Sequence, residues 1–410
     1  MTKEKDLAVT RIIEREPLAE KVKNASPSLA EKLEALSEND LFWFLRHEVS
    51  EDRFFWKNYF GQELHQAQDT VSRSQMYEDE ASGKEMRFIV ETRGGKEGRL
   101  NEDAVLIEQF GKGRMVVAAL DGASSQRPIA GLEEHGVSGA FYVSHLAAFG
   151  FPTSKVFKEL SQKENVTAKE FTIALNTWLY DQMSQIEGVD YNDVLSIPGM
   201  AATISIIDLA NDNITVAQVA DTVGIAHSTS GHWDSFTNNL NSRFDEETML
   251  LVERVAKEQN ISIREAAADP RIKVQLAASF EGKINTPTGC GILNGMPELA
   301  KYPDLITEYG MDSLAGLHQL VFCSDGALTT FEGDAAGDFL VKLQHLKDIY
   351  SANTPLVGDV MTLLNSDPNF EFFPRLKHAD DATMVVIELE KLLVMAKERY
   401  NLAKLFPQDS

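Results

Sequence analysis

Short apolar runs rich in Val and Ile recur along this chain, and each is bounded by Gly, Asp or Asn. The clearest runs lie at residues 115–120, 214–219, 317–323 and 382–389. Runs of about four to eight such residues are typical of buried strands. Similar patterns predict further strands at residues 86–91, 104–109 and 203–209. The sequence Asn211-Asp212-Asn213 predicts a hairpin turn between two of them.

Helical periodicity fills the segments between these runs. It predicts helices at residues 139–149 and 167–186, and a charged helical segment at 243–281. Thr167 and Glu170 form a capping box at the start of the second helix. The apolar stripe of that helix is predicted to be core rather than a cofactor site, and its members are Phe171, Leu175, Trp178, Leu179, Met183 and Ile186. A further helical stretch is predicted between the strands at 317–323 and 382–389.

The chain is predicted to have three parts. Residues 1–80 have the pattern of a helical N-terminal module, with aromatic clusters at 41–45 and 54–60. These aromatics either form the core of the module or dock on the rest of the chain, or they present a surface for a protein partner. A polar stretch near residues 72–84 then predicts a boundary. The main domain is expected at 81–390 and a C-terminal helical tail at 391–410.

The order of the elements indicates the fold class. Strand pairs are followed by helix pairs and then by further strand pairs, which fits an α+β protein with antiparallel sheets covered by helices. A βαβ pattern fits poorly. The chain also contains neither G-x-G-x-x-G nor G-x-x-x-x-G-K-[ST], so nothing indicates a dinucleotide site or a P-loop.

The charge balance narrows the classes of partner. The 410 residues include 39 Lys and Arg against 63 Asp and Glu, a formal net charge of -24. This balance argues against nucleic acid or an anionic membrane as the main partner, since both require a basic surface. The first residues lack the apolar stretch of a signal peptide, and no run approaches the roughly 18–20 apolar residues that span a bilayer. The expectation is a cytoplasmic protein in which Cys323, inside an apolar strand, is a buried thiol.

Carboxylates follow or precede four of the predicted strands. Asp121, Asp221 and Asp325 come after strands, and Asp380 comes before one. Such positions can converge on one edge of a sheet, where like charges are unfavourable unless a cation neutralises them. Asp at any single position is as well explained by a turn. All four together with Asn101-Glu102-Asp103 favour a metal site.

The motifs in this order resemble the metal-dependent serine/threonine protein phosphatases of the protein phosphatase 2C type. The matching blocks cover roughly residues 85–390. They are Gly98-Arg99-Leu100-Asn101-Glu102-Asp103-Ala104, Val117-Ala118-Ala119-Leu120-Asp121-Gly122, Ala201-Ala202-Thr203 with Val219-Ala220-Asp221, the glycine-rich stretch Ile284 to Gly295, Cys323-Ser324-Asp325-Gly326, and Asp380-Asp381-Ala382-Thr383. The resemblance implies two antiparallel sheets packed face to face, with helices on both outer faces.

The resemblance also implies a centre with two, or with a third site three, Mg²⁺ or Mn²⁺ ions. Asp121 would be shared by two ions, and Gly122 would offer its backbone carbonyl to one of them. Asp325 and Asp380 would hold the other ion, and Asp221 lies where some members hold a third. Glu102 and Asp103 would bind or orient metal-bound waters. Hard divalent cations prefer such oxygen ligands.

Two departures from the family pattern leave the function open. The phosphate-binding Arg is expected at the position of Gly98, so either Arg99, one residue later, or Arg93 is the candidate. Ala123 stands where eukaryotic members have a His that protonates the leaving group. The implied function is hydrolysis of phosphoserine or phosphothreonine in proteins. The alternatives are a pseudophosphatase that binds a phosphoprotein or another partner, and a two-metal hydrolase of small phosphate esters.

Overall fold

The structure is a computed structural model that describes residues 71–79, 84–94, 100–123, 127–133, 137–231, 233–237, 240, 242–311, 314, 316–327 and 380–389. Its strands form two antiparallel sheets. The six-stranded sheet has the order β1-β2-β11-β10-β7-β8. Its strands are β1 Val71–Asp79, β2 Lys84–Arg93, β7 Val223–Ser228, β8 Trp233–Ser235, β10 Leu317–Cys323 and β11 Ala382–Glu388. The five-stranded sheet has the order β3-β4-β5-β6-β9, formed by Ala104–Gln109, Arg114–Ala123, Gly199–Asp208, Asn213–Val219 and Thr307–Met311.

Helices connect the strands. They are α1 Ala130–Glu133, α2 Gly139–His145, α3 Lys155–Ser161, α4 Ala168–Met183, α5 Ser242–Gln259, α6 Ile263–Ala267, α7 Pro270–Lys283 and α8 Glu298–Lys301. A π-helical turn, Leu146–Gly150, continues α2. Among these helices, none combines the length and the apolar character that crossing a bilayer requires.

The two sheets pack face to face. Alternate residues of β4 divide between two cores, because successive side chains of a strand point to opposite faces. Met115, Val117 and Ala119 belong to the core between the sheets, together with Phe322 and Val385 of the six-stranded sheet. The intervening β4 residues lie in a second core beneath α2 and α4. The predicted α+β arrangement of two packed antiparallel sheets with helices is therefore confirmed.

The strands that were predicted from apolar runs are confirmed. Those at 104–109 and 317–323 have the predicted bounds, and the others agree to within a few residues. The hairpin between β5 and β6 is also confirmed: Asp208 pairs with Asn213, and Asp212 in the turn has φ of 55°. Cys323 is a buried thiol, as predicted.

Helix α4 begins as its sequence predicts. Thr167 accepts a hydrogen bond from Glu170 N at 3.2 Å, and Glu170 Oε2 accepts one from Thr167 N at 3.1 Å. These reciprocal bonds satisfy two backbone donors that the helix itself cannot pair. The predicted apolar stripe lies in the core under the helix, with Trp178 partly buried at its margin.

The prediction of helix up to residue 80 is wrong for Val71–Asp79. This segment is β1, an edge strand that pairs with β2 from Val71 opposite Thr92 to Asp79 opposite Lys84. Its many polar residues concealed a strand that is recognisable only by its partner. The other residues of the predicted N-terminal module, the predicted tail and the helical stretch predicted between β10 and β11 lie outside the described residues.

The position of β1 leads to a prediction about truncation. Removing residues 1–69 should leave a soluble fragment that melts cooperatively, because the β1–β2 ladder stays intact. Removing residues 1–82 should lower the melting temperature and promote aggregation, because it exposes the β2 edge. Thermal melting and size-exclusion chromatography of both fragments test this. Aggregation of the longer fragment would instead show that the aromatic clusters at 41–45 and 54–60 pack on the sheets.

Candidate metal centre

Strand pairing brings the first carboxylates together on the five-stranded sheet. Ala104 opens β3 opposite Leu120 of β4, so Asp103 lies beside Asp121. Asp121 is in turn paired with Ala201 of β5. The ends of these strands therefore place both carboxylates at one edge of the sheet, as the sequence predicted.

The six-stranded sheet brings its carboxylates to the same edge of the molecule. Cys323, the last residue of β10, pairs with Met384 of β11 and with Val223 of β7. Asp325 therefore follows β10 next to Asp380 and Asp381, which precede β11, and next to Asp221, which precedes β7. We call Asp103, Asp121, Asp221, Asp325, Asp380 and Asp381 the acidic edge.

The carboxylates of the acidic edge repel one another across the two sheets. Burial raises the pKa of Asp121 well above its usual range. The neighbouring charges raise it further, and they come, in decreasing order, from Asp103, Asp325, Asp221 and Asp380. Four of the other five carboxylates of the acidic edge therefore raise the pKa of Asp121.

Asp103 is in a similar environment. Its pKa is raised well above the usual range, first by burial and then by the charge of Asp381. Asp380 and Asp325 raise it as well, while the hydrogen bond from Ser324 opposes the rise. The side chain of Asp103 is nearly inaccessible to solvent, with a relative exposure of 3%.

The backbone of Glu102 is fixed from two sides. Its N–H donates to Asp381 Oδ2 at 2.6 Å, and its carbonyl accepts from the Ser144 hydroxyl of α2 at 2.5 Å. Gly122 packs against the same carbonyl: a Cβ there would lie 2.5 Å from Glu102 O and 2.6 Å from Ala140 O. Only a glycine allows β4, α2 and the 101–103 segment to approach this closely.

The turn after β10 is equally tight. Residues Asp325–Ala327 form a 3-10 turn, and a Cβ on Gly326 would lie 2.0 Å from Asp381 O and 3.1 Å from Asp380 Cβ. The glycine of this Asp-Gly pair therefore lets Asp325 stand directly beside Asp380 and Asp381.

Asp221 follows a strained residue. Ala220 has φ of +66°, a left-handed conformation that costs a residue with a Cβ roughly 1 kcal/mol. The buried side chain of Gln218 holds this turn, because its Nε2 donates to Ala220 O at 3.2 Å and to Thr222 O at 2.8 Å. The side-chain amide of Gln218 therefore fixes the backbone on both sides of Asp221.

The predicted site residues are placed as follows. Asp121, Asp221, Asp325 and Asp380 meet with Asp103 at the acidic edge, and Glu102 and Gly122 border it. Arg93 ends β2 opposite Ala382 and is half-buried beside the edge, whereas Arg99 lies outside the described residues. Asp381 was not singled out from the sequence, although it stands in the same motif as Asp380.

The chemical type of the donors suits a hard divalent cation. It consists of carboxylate oxygens with backbone carbonyls nearby, and these are the ligands that Mg²⁺ and Mn²⁺ prefer. Within the described part of the chain, no group of three or more His, Cys, Asp or Glu side chains is arranged as the ligands of one ion would be. The carboxylates share one electrostatic environment without forming a closed coordination sphere, and metal binding by them is developed below as a proposal.

A buried histidine lies behind this site. His145 Nδ1 is 3.0 Å from Phe141 O and 3.0 Å from Ser144 Oγ, and the ring stacks on Phe141 with centroids 3.9 Å apart. Burial lowers the pKa of His145 from 6.5 to about 3, although the Phe141 carbonyl opposes the shift. The folded protein therefore holds this imidazole neutral.

His145 should make the protein less stable in acid. Between pH about 3 and 6.5 the unfolded chain binds a proton at this residue and the folded chain does not, so stability falls as the pH drops below 6.5. Between pH 7 and 5 the free energy of unfolding should lose about 2 kcal/mol through this residue. Urea unfolding of wild type and His145→Gln should show that loss in wild type only. An unchanged difference between the two proteins across this pH range would contradict it.

Comparison with known proteins agrees with this geometry. The family model described as Protein phosphatase 2C matches residues 92–357, well over half of the chain. The described region is thus an α+β sandwich with an acidic edge, and the chain belongs to the protein phosphatase 2C family. No curated protein matches the chain.

Several solved structures resemble the chain at low identity. The Mycobacterium tuberculosis serine/threonine phosphatase PstP/Ppp is 17% identical, with 74% of this chain and 98% of that chain covered and a TM-score of 0.38. The S. agalactiae serine/threonine phosphatase is 14% identical, with 74% and 99% covered and a TM-score of 0.41. The serine/threonine phosphatase Stp1 from Staphylococcus aureus is 13% identical, with 78% and 95% covered and a TM-score of 0.41.

Proposed function

We propose that this protein is an active phosphatase that uses divalent metal to hydrolyse phosphoserine or phosphothreonine in other proteins. The proposal rests on membership of the protein phosphatase 2C family and on one observation: strand pairing brings Asp103 and Asp121 of one sheet to the same edge of the molecule as Asp221, Asp325 and Asp380 of the other. A group of buried like charges of this kind is costly unless a cation neutralises it. Mg²⁺ and Mn²⁺ suit a site built from oxygen ligands.

Each residue of the site has a proposed role. Asp121 would be shared by two ions, Gly122 would contribute its carbonyl, Asp325 and Asp380 would hold the second ion, and Asp221 would serve a third. When bound, two such ions would lower the pKa of a water to supply hydroxide near neutral pH and would neutralise the phosphate. Glu102 and Asp103 would orient water, and the two hydrogen bonds to the Glu102 backbone keep that segment in place.

Arg93 is a candidate, with Arg99, for binding the phosphate. It ends β2 opposite Ala382, one residue from Asp381, and it is half-buried. A guanidinium at this place can form paired hydrogen bonds with a phosphate while the carboxylates hold metal. Arg99 remains the alternative.

The helical insert that follows β8 favours a protein substrate over a small ester. The insert that contains α5, α6 and α7 is a helical unit with its own small core, which includes Val252, Val255 and Ile272. Charged side chains on these helices offer a surface for a polypeptide. The net charge of -24 disfavours nucleic acid or an anionic membrane as the partner.

A direct assay separates the enzyme from its alternatives. The purified protein would receive a phosphothreonine peptide or an aryl phosphate, with Mn²⁺ or with excess chelator, and phosphate release would be measured beside Asp325→Ala. We expect the wild-type protein to release phosphate from the peptide only with Mn²⁺, and we expect Asp325→Ala to release none. Release from the aryl phosphate alone favours the small-ester hydrolase, and Mn²⁺ binding without release from either favours the pseudophosphatase.

A further inference from the structure

We propose that Ser324, Thr383, Thr92 and Asn101 are positioning residues that hold Asp103 in a closed ring of hydrogen bonds and thereby increase the affinity of the acidic edge for divalent metal. This inference rests on the metal binding in the proposed function. It concerns residues whose side chains would not touch the ion or the substrate. We call these four residues and Asp103 the hydrogen-bond ring.

The ring can be followed from atom to atom. The Ser324 hydroxyl donates to Asp103 Oδ2 at 2.6 Å and accepts from Thr383 N at 2.9 Å. The hydroxyls of Thr383 and Thr92 are 2.7 Å apart. Asn101 Nδ2 donates to Thr92 Oγ1 at 2.7 Å, and Asn101 Oδ1 accepts from Asp103 N at 2.9 Å, which closes the ring. The Ser324 hydroxyl also lies 3.4 Å from Thr383 O, and this longer contact is weaker than its hydrogen bond to Asp103.

The ring crosses between the two sheets. Thr92 of β2 and Thr383 of β11 are directly opposite each other in the six-stranded sheet, and Ser324 follows β10 of the same sheet. Asn101 and Asp103 precede β3 of the five-stranded sheet. The ring therefore fixes Asp103, next to the five-stranded sheet, relative to Asp325 and Asp380, next to the six-stranded sheet.

Most residues of the hydrogen-bond ring are buried, which makes the loss of one of these hydrogen bonds costly. Ser324 is 0% exposed, Asn101 and Thr383 are 1% exposed, and Asp103 is 3% exposed. Hydrogen bonds shielded from water are stronger and polarise one another, and a buried polar atom that loses its partner is costly.

The ring opposes a force that would otherwise displace Asp103. Asp381, Asp380 and Asp325 all repel this carboxylate. A free carboxylate would rotate away from such neighbours in the absence of metal, and each ion bound would then have to bring it back. A ring that holds Asp103 in place reduces that reorganisation. Removing outer-shell hydrogen-bond partners of a metal centre typically weakens metal affinity by about 10- to 100-fold.

Ser324→Ala tests the ring, and Ser205→Ala is the matched control. Ser205 is also a 0%-exposed serine, and its hydroxyl donates to Val117 O at 3.0 Å in the middle of the sheet, away from the acidic edge. The Kd for Mn²⁺ of the purified full-length proteins would be measured by isothermal titration calorimetry. We expect Ser324→Ala to bind Mn²⁺ about 10- to 100-fold more weakly, while Ser205→Ala stays within about twofold of wild type despite a comparable fall in melting temperature.

A second pair of variants keeps the test decisive if Ser324→Ala does not fold. Thr92→Val removes the hydroxyl and keeps the shape of the side chain, whereas Thr92→Ser keeps the hydroxyl. We expect Thr92→Val to weaken Mn²⁺ binding and Thr92→Ser to bind like wild type. Folded Ser324→Ala or Thr92→Val that binds Mn²⁺ as tightly as wild type would overturn the inference.

The readout is binding rather than turnover, so the two proposals can fail separately. If Mn²⁺ affinity depends on the ring but the wild-type protein releases no phosphate, the enzymatic proposal is contradicted and the inference about the ring still holds. A wild-type protein that binds no Mn²⁺ would contradict both.

Discussion

Asp121→Asn is expected to abolish metal-dependent phosphate release while making the metal-free protein more stable. The change removes the carboxylate proposed to be shared by two ions, and losing several kcal/mol of transition-state stabilisation corresponds to a fall in turnover of about 10³-fold. It also removes one charge from the acidic edge, where burial and then the charges of Asp103 and Asp325 raise the pKa of Asp121. In excess chelator the melting temperature should rise by about 2–4 °C for each kcal/mol of repulsion removed.

The opposite signs of the two effects make this variant informative. Substitution of a residue with a purely structural role would lower both the activity and the stability of the protein. Asp304→Asn, at an exposed carboxylate that is not among those acting on Asp121, should change neither quantity. A metal-free Asp121→Asn protein that melts below wild type would show that this carboxylate supports the fold. Unchanged turnover would remove it from the metal centre.

Gly122→Ala is expected to be among the most destabilising single changes in the described region. The added Cβ would lie 2.5 Å from Glu102 O and 2.6 Å from Ala140 O, and both atoms belong to the backbone. Relief requires that α2 and β4 move apart, which should cost about 3 kcal/mol or more. Because the same backbone carries Glu102, Mn²⁺ binding should weaken as well. Chemical unfolding and calorimetric titration measure both quantities.

Gly282→Ala provides the control for that substitution. Gly282 is exposed in α7, and a Cβ there would meet nothing within 4 Å. Alanine is the better helix former, so this variant should be more stable by about 0.5–1 kcal/mol and should bind Mn²⁺ normally. If Gly122→Ala were as stable as wild type, the close approach of β4 to the Glu102 backbone would be wrong.

The sequence predicts those strands that have a clear apolar pattern of their own. Strands β4, β5, β10 and β11 are nearly continuous apolar runs because most of their residues are buried on both faces of the strand. Their ends carry the aspartates, which is why the sequence itself indicates that these carboxylates can converge on one edge.

The strands that were missed depend on their neighbours. Strand β7 contains Gly224, which weakens any strand signal, but a Cβ there would lie 2.6 Å from Phe236 Cζ. The glycine is needed because an aromatic ring packs on the strand. Strands β1 and β9 are edge strands with mixed polar sequences, and their pairing with β2 and β6 defines them. No local pattern distinguishes such segments from loops.

The hydrogen-bond ring could not be predicted for a related reason. Ser324, Asn101 and Thr383 stand inside recognisable motifs, but nothing in the motifs says that Thr92 meets Thr383. That contact depends on the register of β2 against β11, which the packing of the whole sheet determines. Asp381 was likewise adjacent to a predicted ligand, and only the tertiary structure shows that it accepts the Glu102 N–H.

Anomalous scattering from Mn²⁺ in crystals of the full-length protein tests the central claim most directly. The account predicts Mn²⁺ at the acidic edge, with Asp121, Asp325 and Asp380 oxygens within about 2–2.3 Å of the metal sites, and loss of these peaks in Asp121→Asn. Crystals grown in saturating Mn²⁺ that show no metal at this edge, or that hold Mn²⁺ only elsewhere, would contradict it.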